Sequence, residues 1–483
     1  MKNAQNGAVT DVNGRYSVNA PKNATLVFSF IGYRTQEVAV KGRTTVNVTL
    51  KEDSQMLEET VVIGYGAVPK RDLTGSVSSL KSEDLLKTNP VSVNQGLQGK
   101  MAGVNVSQSD GAPGAGINIQ IRGANSFTTS TEPLYVVDGM PYSMGEGRTT
   151  DYGMKQSNNP LSTISPQDIL SIEVLKDASS SAIYGARAAN GVVLITTKSG
   201  KTGRPTITYN GSASYRKISK KLDVLSPYEF VKLQGEVNSK YSDSYFKPGN
   251  DDNDIPYRYQ SLDDYMGVKG VNWQDETFNP TWSQDHSLSI MGGTDDSKYN
   301  ASFSRYIENG IFKNSGFDKT TGKFRLDQKL SKSLSFNITV NYALTNRKGV
   351  GTSADSGRFN MLAQILSARP TGGLKLTDDE LLDSAIDPEM LESGESLAQV
   401  NPVKQTESVT NTKRAEMWSG NGSISWQIIK GLTFKTAGTY NTTNNRTNIF
   451  YKDGSKEAYR NGQKPYGRTQ ICLLYTSDAA DDL

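Results

Sequence analysis

Residues Leu334 to Thr345 read LSFNITVNYALT, and through Leu344 every second side chain is apolar or aromatic. Leu334, Phe336, Ile338, Val340, Tyr342 and Leu344 fall on one side of an extended chain, and Ser335, Asn337, Thr339, Asn341 and Thr345 on the other. Successive strand side chains point to opposite faces, so the stretch is a strand with one apolar and one polar face. A tilted strand of ~10 residues is long enough to cross a bilayer. The alternation returns after Pro205 in TITYNGSASYRK, HSLSIMGG, KYNASFSRY, KFRLDQKL, GNGSISWQI and LTFKTAGTYNTT.

The connections differ in length. A short KSL-type turn joins Phe324–Leu330 to Leu334–Thr345, whereas residues 217–285 and 346–415 are long and polar. Short turns at one end and long loops at the other are the habit of membrane barrels. A soluble sandwich or adhesin alternates equally well. Tyrosines near strand ends (Tyr209, Tyr215, Tyr306 and Tyr440) fit an interfacial girdle instead.

Composition agrees with strands. Mean hydropathy is −0.53 and 35% of residues are hydrophobic. No window approaches the ~18 apolar residues of a spanning helix, so any membrane crossing belongs to β-strands. Gly reaches 45 and Tyr, at 23, outnumbers Phe at 14, which suits strands, turns and an aqueous lumen. Charge is near balance, 53 Lys+Arg against 50 Asp+Glu, and gives no case for nucleic acid. One Cys and one His leave no structural zinc site and no His-based triad, so neither an enzyme nor a cofactor is expected.

Leu134 to Gly200 forms a different block. LYVVDGMP is followed by ILSIEVLKDASSSAIYGARAANGVVLITTKSG, which predicts strands at Leu134–Val137, around Ile172–Leu175 and at Val192–Thr197. Asp177 is placed to cap a small-residue helical turn over Ala178–Tyr184, and Gly185 to stop it. Val93, Leu97 and Met101 in VSVNQGLQGKMAG predict an inward-packing helix. Val104 and Val106, then Ile117, Ile119 and Ile121, predict half-buried strands.

Four phrases in this block, GLQGKMAGVNV, INIQIRGANS, the VVDG turn and IEVLKDASSSAIYGARAANGVVLITTKSG, resemble the plug domain of TonB-dependent outer-membrane transporters of the SusC/RagA branch, in family order. The resemblance implies an all-β-dominated chain: a truncated transthyretin-like (carboxypeptidase-regulatory-like) sandwich over 1–52, a linker over 53–69, an α+β plug over 70–201 and the first strands of a transmembrane barrel over 202–470. As motif residues it marks Arg122, Gly123, Asp138, Gly139, Asp177, Tyr184, Gly185, Arg187, Asn190 and Gly191. Those around Arg122 and Asp138 are implied to help hold the plug, though plain surface charge accounts for both equally well.

In the first 52 residues, Val9, RYSV, Thr25–Phe30, Gln36–Val40 and Thr45–Leu50 predict four or five strands, with a turn at DVNG, Asp11–Gly14. A complete small sandwich is the alternative. MLEETVVIGYG follows the linker, an acidic and then β-branched run with no strand partner nearby, as an extended peptide needs for adding to another protein's sheet edge. By resemblance Glu59, Thr60, Val61, Val62, Ile63 and Gly64 form the TonB box, the handle that the energy-coupling protein pulls. A last strand of the sandwich or a first strand of the plug is the alternative.

Other motifs dissolve. GKT at Gly200–Thr202 lacks the glycine of a phosphate loop, since Ile195 stands there, and GAPGAG, Gly111–Gly116, lacks the helix and acidic partner of a dinucleotide site. NDDND, Asn250–Asp254, has no Glu at the twelfth position of a calcium loop, and His286 reads as a polar interfacial residue. Around Cys472 the alternation stops, and 471–483 reads as a non-native tail. Alternating segments number about seven, where plugged transporter barrels close at about 22 strands. The chain is therefore expected to be a fragment, its signal peptide lying before Met1.

The resemblance implies TonB-dependent uptake of a bulky oligosaccharide or peptide. Implied partners are TonB with its proton-driven inner-membrane complex, a SusD-type surface lipoprotein, and the lipid of a Gram-negative Bacteroidota outer membrane. The rival expectation is a surface or secreted β-rich protein that binds a ligand without transport.

Overall fold

The computed structural model describes residues 10–29, 35–50, 60–69, 77–108, 111–123, 131–142, 161–349, 361–385 and 401–482, apart from breaks of one or two residues. By internal contacts the chain divides into two units, 1–61 with 67–73, and the remainder.

In the first unit, β1 (Thr25–Phe28) pairs antiparallel with β2 (Gln36–Ala39). Leu26, Val40 and Val46 form its core, and Tyr16 and Val18 pack against them. The Tyr16 hydroxyl donates to the Val46 carbonyl at 2.7 Å, and its ring meets Phe28 edge-on. The expectation of four or five strands is corrected to two among the described residues. RYSV and Thr45–Leu50 contribute side chains to the core without joining a ladder, and Val9 lies outside the described residues. The DVNG turn closes as expected, Gly14 N–H donating to the Asp11 carbonyl at 3.0 Å with φ at 79°.

The run read as unpartnered has a partner. β3 (Thr60–Ile63) and β4 (Gly66–Pro69), two residues apart in sequence, form a two-stranded sheet. Glu59 and Gly64 lie outside the described residues.

An inner domain follows. β5 (Val77–Lys81), β8 (Leu134–Val137), β9 (Met140–Tyr142), β10 (Ile169–Leu175) and β11 (Val192–Thr197) make one mixed sheet in the order β5-β10-β11-β8-β9. β8 runs parallel to β11 and the other pairs are antiparallel. β6 (Val104–Gln108) and β7 (Ile117–Ile121) form a separate hairpin. The helix Val93–Leu97 lies where the spacing predicts it, and Val93, Leu97 and Met101 join Ile119, Ile121, Ile172 and Val193 in the core.

The second half is a single antiparallel meander, the wall. Among the described residues its strands are β12 (Gly203–Arg216), β13 (Thr281–Gly293), β14 (Ser297–Asn309), β15 (Gly316–Lys329), β16 (Leu334–Lys348), β17 (Val409–Ile429), β18 (Leu432–Tyr451) and β19 (Tyr466–Asp482), each paired with its neighbour in sequence. The strands outnumber the expected seven by one, because β19 runs through the segment read as a tail. Ile471, Cys472, Leu473 and Tyr475 of this strand are all exposed, so the alternation stops there as expected.

The amphipathicity of the wall is inverted relative to a water-soluble sheet. On β16, Ile338 and Val340 are exposed while Thr339, Asn341 and Ala343 are buried. The same holds across the ladder, with Ile207, Tyr209, Leu288, Phe303, Phe324, Trp418 and Ile424 outside and Ser287, Asn300, Thr321, Ser419 and Thr439 inside. A strand sheet that faces hydrocarbon has this arrangement.

At one end the turns are brief: 294–296, 330–333 and 430–431. At the other, residues 217–280 and 349–408 are long and, where described, folded. The helix Pro227–Val237 begins at a capping box in which Ser226 and Glu229 bond reciprocally, and Asp378–Asp383 begins at another made by Thr377 and Glu380. Tyr245, Tyr265 and Val231 form one loop core, and Trp273, Ile365 and Leu381 belong to another.

Candidate functional site at the seam of inner domain and wall

β8 and β9 are joined by the two-residue turn Asp138-Gly139, with φ of 51° and 85°. Val137 faces Met140 across it, the arrangement of a type I′ hairpin, in which Asp tolerates a left-handed backbone and Gly has no Cβ to strain. The turn aims the Asp138 carboxylate at the end of β11. Oδ1 accepts from the Thr197 N–H at 2.8 Å and Oδ2 from the Thr197 hydroxyl at 2.6 Å.

The same carboxylate meets the wall. The Arg325 guanidinium on β15 lies 3.3 Å from Asp138 Oδ1, and the Asp138 side chain is only 8% exposed. Arg325 is aimed by a fork onto Asp327, with Nε 3.0 Å from Oδ2 and a second nitrogen 3.1 Å from Oδ1.

Two lysines on the same face of β15 extend this seam. Lys319 Nζ donates to the Ile164 carbonyl at 3.1 Å, and Lys323 Nζ to the Lys198 carbonyl at 3.2 Å. Both lysines are buried, as is Asp168. Burial pushes the Asp168 carboxyl up from its ordinary range, and the positive charge of Lys323 opposes that shift. Lys198, half-buried, is pushed down by desolvation and held up in part by Asp168. Close packing completes the fit. A Cβ on Gly114, whose φ is 64°, would stand 2.7 Å from Phe317 Cγ, and one on Gly200 would stand 2.6 Å from the Tyr299 carbonyl oxygen.

The residues predicted from sequence do not converge on one place. Asp138 lies in the seam. Arg122, φ 59°, pairs instead with Asp177 inside the inner domain at 2.6 Å, and its N–H donates to the Gly103 carbonyl. That pair corrects the expected cap: Asp177 occupies the N-terminal position of Ala178–Ser181, but its side chain makes no capping hydrogen bond. Gly185 interrupts the helical path as expected, at φ 63° and ψ −151°, and a 3-10 stretch surrounds it over Ala182–Ala188. Gly191, φ 88°, lies against Ile121 and accepts from the Leu134 N–H, while Asn190 donates to the Glu132 carbonyl. Tyr184 is half-buried and Arg187 exposed; Gly123, like Gly139, serves a left-handed turn.

Sequence reasoning missed Thr197, Lys319, Lys323 and Arg325. The available signal was three cations on one face of KTTGKFRLD, at Lys319, Lys323 and Arg325, in a strand whose opposite face carries Phe324.

Residues 69–192 match the TonB-dependent receptor plug domain, and residues 1–62 the CarboxypepD_reg-like domain. The TonB-dependent receptor SusC of Bacteroides thetaiotaomicron is 38% identical over 359 residues, 74% of this chain. The TonB-dependent receptor P3 of Formosa agariphila is 33% identical over 455 residues, 93% of this chain. The chain belongs to the SusC/RagA family of TonB-dependent receptors. The aligned part spans 33% of SusC and 40% of P3, so the chain covers well under half the length of these relatives. In fold it resembles the RagAB peptide importer in its open-open state, with a TM-score of 0.62 at 22% identity, covering 87% of this chain and 46% of that one. Proteins of the SusC/RagA family are outer-membrane β-barrels closed by a plug. In this member the inner domain is the plug, and β12 to β19 are strands of the wall.

Proposed function

We propose that this receptor serves active uptake of a bulky nutrient, an oligosaccharide or a peptide, across a Gram-negative outer membrane. The observation that carries the reading is a plug seated on the buried polar face of a sheet whose other face is apolar and exposed. A wall of that kind resides in lipid, and a domain bonded to its inner face obstructs the lumen.

In this reading, 1–52 is a regulatory-type sandwich, 53–69 a linker, 70–201 the plug and 202–470 wall with its loops. Glu59 to Gly64 is the handle for TonB, driven by the inner-membrane proton gradient. A two-stranded hairpin is marginally stable on its own, so the β3–β4 pairing yields readily to addition of β3 to another sheet. A SusD-type surface lipoprotein is the partner at the long loops. The peptide alternative is in keeping with a relative in fold that is named a peptide importer.

The test is Val62→Pro in the full-length receptor, which removes an N–H from the handle. Uptake in cells is expected to cease while the amount in the outer membrane stays unchanged. Undiminished uptake would refute coupling through this segment. A full-length protein that stays monodisperse without detergent would replace transport with the binding-protein reading.

A further inference from the structure

The outward face of the wall changes character above its apolar band. On β16 the outward row runs from Ile338 through Leu344 to Asn346, and the register sets Trp418, Glu416 and Arg414 of β17 beside Tyr342, Leu344 and Asn346. The Tyr342 and Trp418 rings lie 4.6 Å apart between centroids, an aromatic pair of the kind that marks a membrane interface. Arg414 stands one outward position beyond the Leu344 row. For a strand rising ~3.3 Å per residue at a tilt of ~40°, that is roughly 5 Å further along the membrane normal, the depth of the headgroups.

At that level two arginines oppose each other. Arg414 on β17 is paired in register with Arg446 on β18, and both are exposed. Like charges directly opposite on one sheet face are destabilising. Glu416 is the only acidic residue of the two strands. It lies 3.7 Å from Arg414 and also accepts from the Trp418 Nε1–H at 3.4 Å, so one carboxylate faces two guanidinium groups. Arg446 donates through Nε to Asn448 Oδ1 at 3.2 Å, which sets its plane and leaves its two terminal nitrogens without a protein partner among the described residues. Below the pair the outward face is smooth. A Cβ on Gly420 of β17 or Gly438 of β18 would meet nothing within 4 Å, and Trp418 and Tyr440 stand exposed beside them.

We infer that Arg414 and Arg446 bind the phosphate of an outer-leaflet lipid on the outside of the wall. Two adjacent guanidinium groups with free donors match the oxygens of one phosphate, and the anion between them removes their mutual repulsion. The glycine track beneath gives an acyl chain of the same lipid an open path along the strands. The inference rests on the outer-membrane placement of the proposed function and is independent of uptake.

The test uses purified, delipidated full-length receptor in neutral detergent, each variant first checked for the heat-modifiable migration of a folded barrel. Diphosphorylated lipid A is the probe and its dephosphorylated form the control, with bound lipid counted by native mass spectrometry over a titration. Wild type is expected to bind the phosphorylated probe about tenfold or more tighter than the double variant Arg414→Ala with Arg446→Ala. Lys329→Ala, on the inner face at the other end of β15, binds as wild type does. Lysine at both positions recovers part of the affinity, because it restores the charge but not the planar fork.

Equal affinity of wild type and the folded double variant overturns the inference, and so does equal affinity of wild type for the two forms of the probe. Displacement of the lipid by an equal concentration of inorganic phosphate overturns the assignment to a lipid. If the alanine variant fails to fold, Arg414→Gln with Arg446→Gln decides by the same comparison. Arginine-dependent binding in a receptor without energised uptake refutes transport and leaves the lipid site standing. Energised uptake without arginine-dependent binding refutes the lipid site alone.

Discussion

Replacing Val340 with Arg separates the membrane wall from any soluble sheet of the same shape. Val340 lies mid-strand on β16, 37% exposed, between Phe324 on β15 and Gly420 on β17. Gly420 has no side chain to clash with a longer neighbour, so the cost of the substitution reports the medium and not the packing. At the middle of a bilayer an outward Arg on a barrel strand costs about 2–4 kcal/mol. That corresponds to a shift of roughly 30- to 800-fold in the folding equilibrium. On a sheet facing water, the change stays within about 0.5 kcal/mol. The assay is urea-driven unfolding and refolding of the full-length receptor in lipid vesicles, followed by heat-modifiable migration, with Val340→Leu as the apolar control. A Val340→Arg midpoint equal to that of wild type would mean that this face does not lie in hydrocarbon, and the inverted-sheet argument would fall with it.

Other substitutions probe the plug. Thr197→Val removes the hydroxyl that donates to Asp138 Oδ2 from a buried position, and should loosen the β8–β9 turn by about 1–3 kcal/mol, read as faster hydrogen exchange in β8 and β11. Gly114→Val combines a left-handed backbone with a side chain aimed at the Phe317 ring; protease should cut the β6–β7 connection of this variant sooner than in wild type. Asp168 sets a pH dependence. Its native carboxyl is raised, so its stabilising contribution is fully present below the ordinary value of about 3.9 and is lost as pH rises through the native value. Protease protection of the plug should therefore fall upward from about pH 4, and Asp168→Asn should flatten that part of the profile.

Much of the architecture was legible because strand alternation is local. Leu334 to Leu344 declares its two faces without help from any other segment, and the structure separates them from Ile338 to Ala343. The plug strands were legible for a similar reason, as short apolar runs between glycine turns. The helices in the long loops were legible too, but were overlooked: SPYE at Ser226 and TDDE at Thr377 are capping-box spellings, and each starts a helix. The seam was not legible. A lysine on the polar side of a strand looks the same whether it meets water or a carbonyl 155 residues away, as Lys319 meets Ile164. The Asp177 cap failed for a related reason, since a local capping bond competes with an Arg122 that only the tertiary fold brings near. The first unit fell short of its expected strands because RYSV and Thr45–Leu50 spend their apolar side chains on the core without forming backbone ladders.

The unbroken pairing from β13 through β16 bears on assembly. No bulge interrupts these ladders, so a one-residue slip of β15 would turn its whole inner row outward. Lys319, Lys323 and Arg325 would then face hydrocarbon, at about 2–4 kcal/mol each near the midplane, while Phe324 turned toward water. The wrong register is thus penalised by the bilayer whether or not the plug is seated. The charges that hold the finished plug also proofread the wall while it is being built.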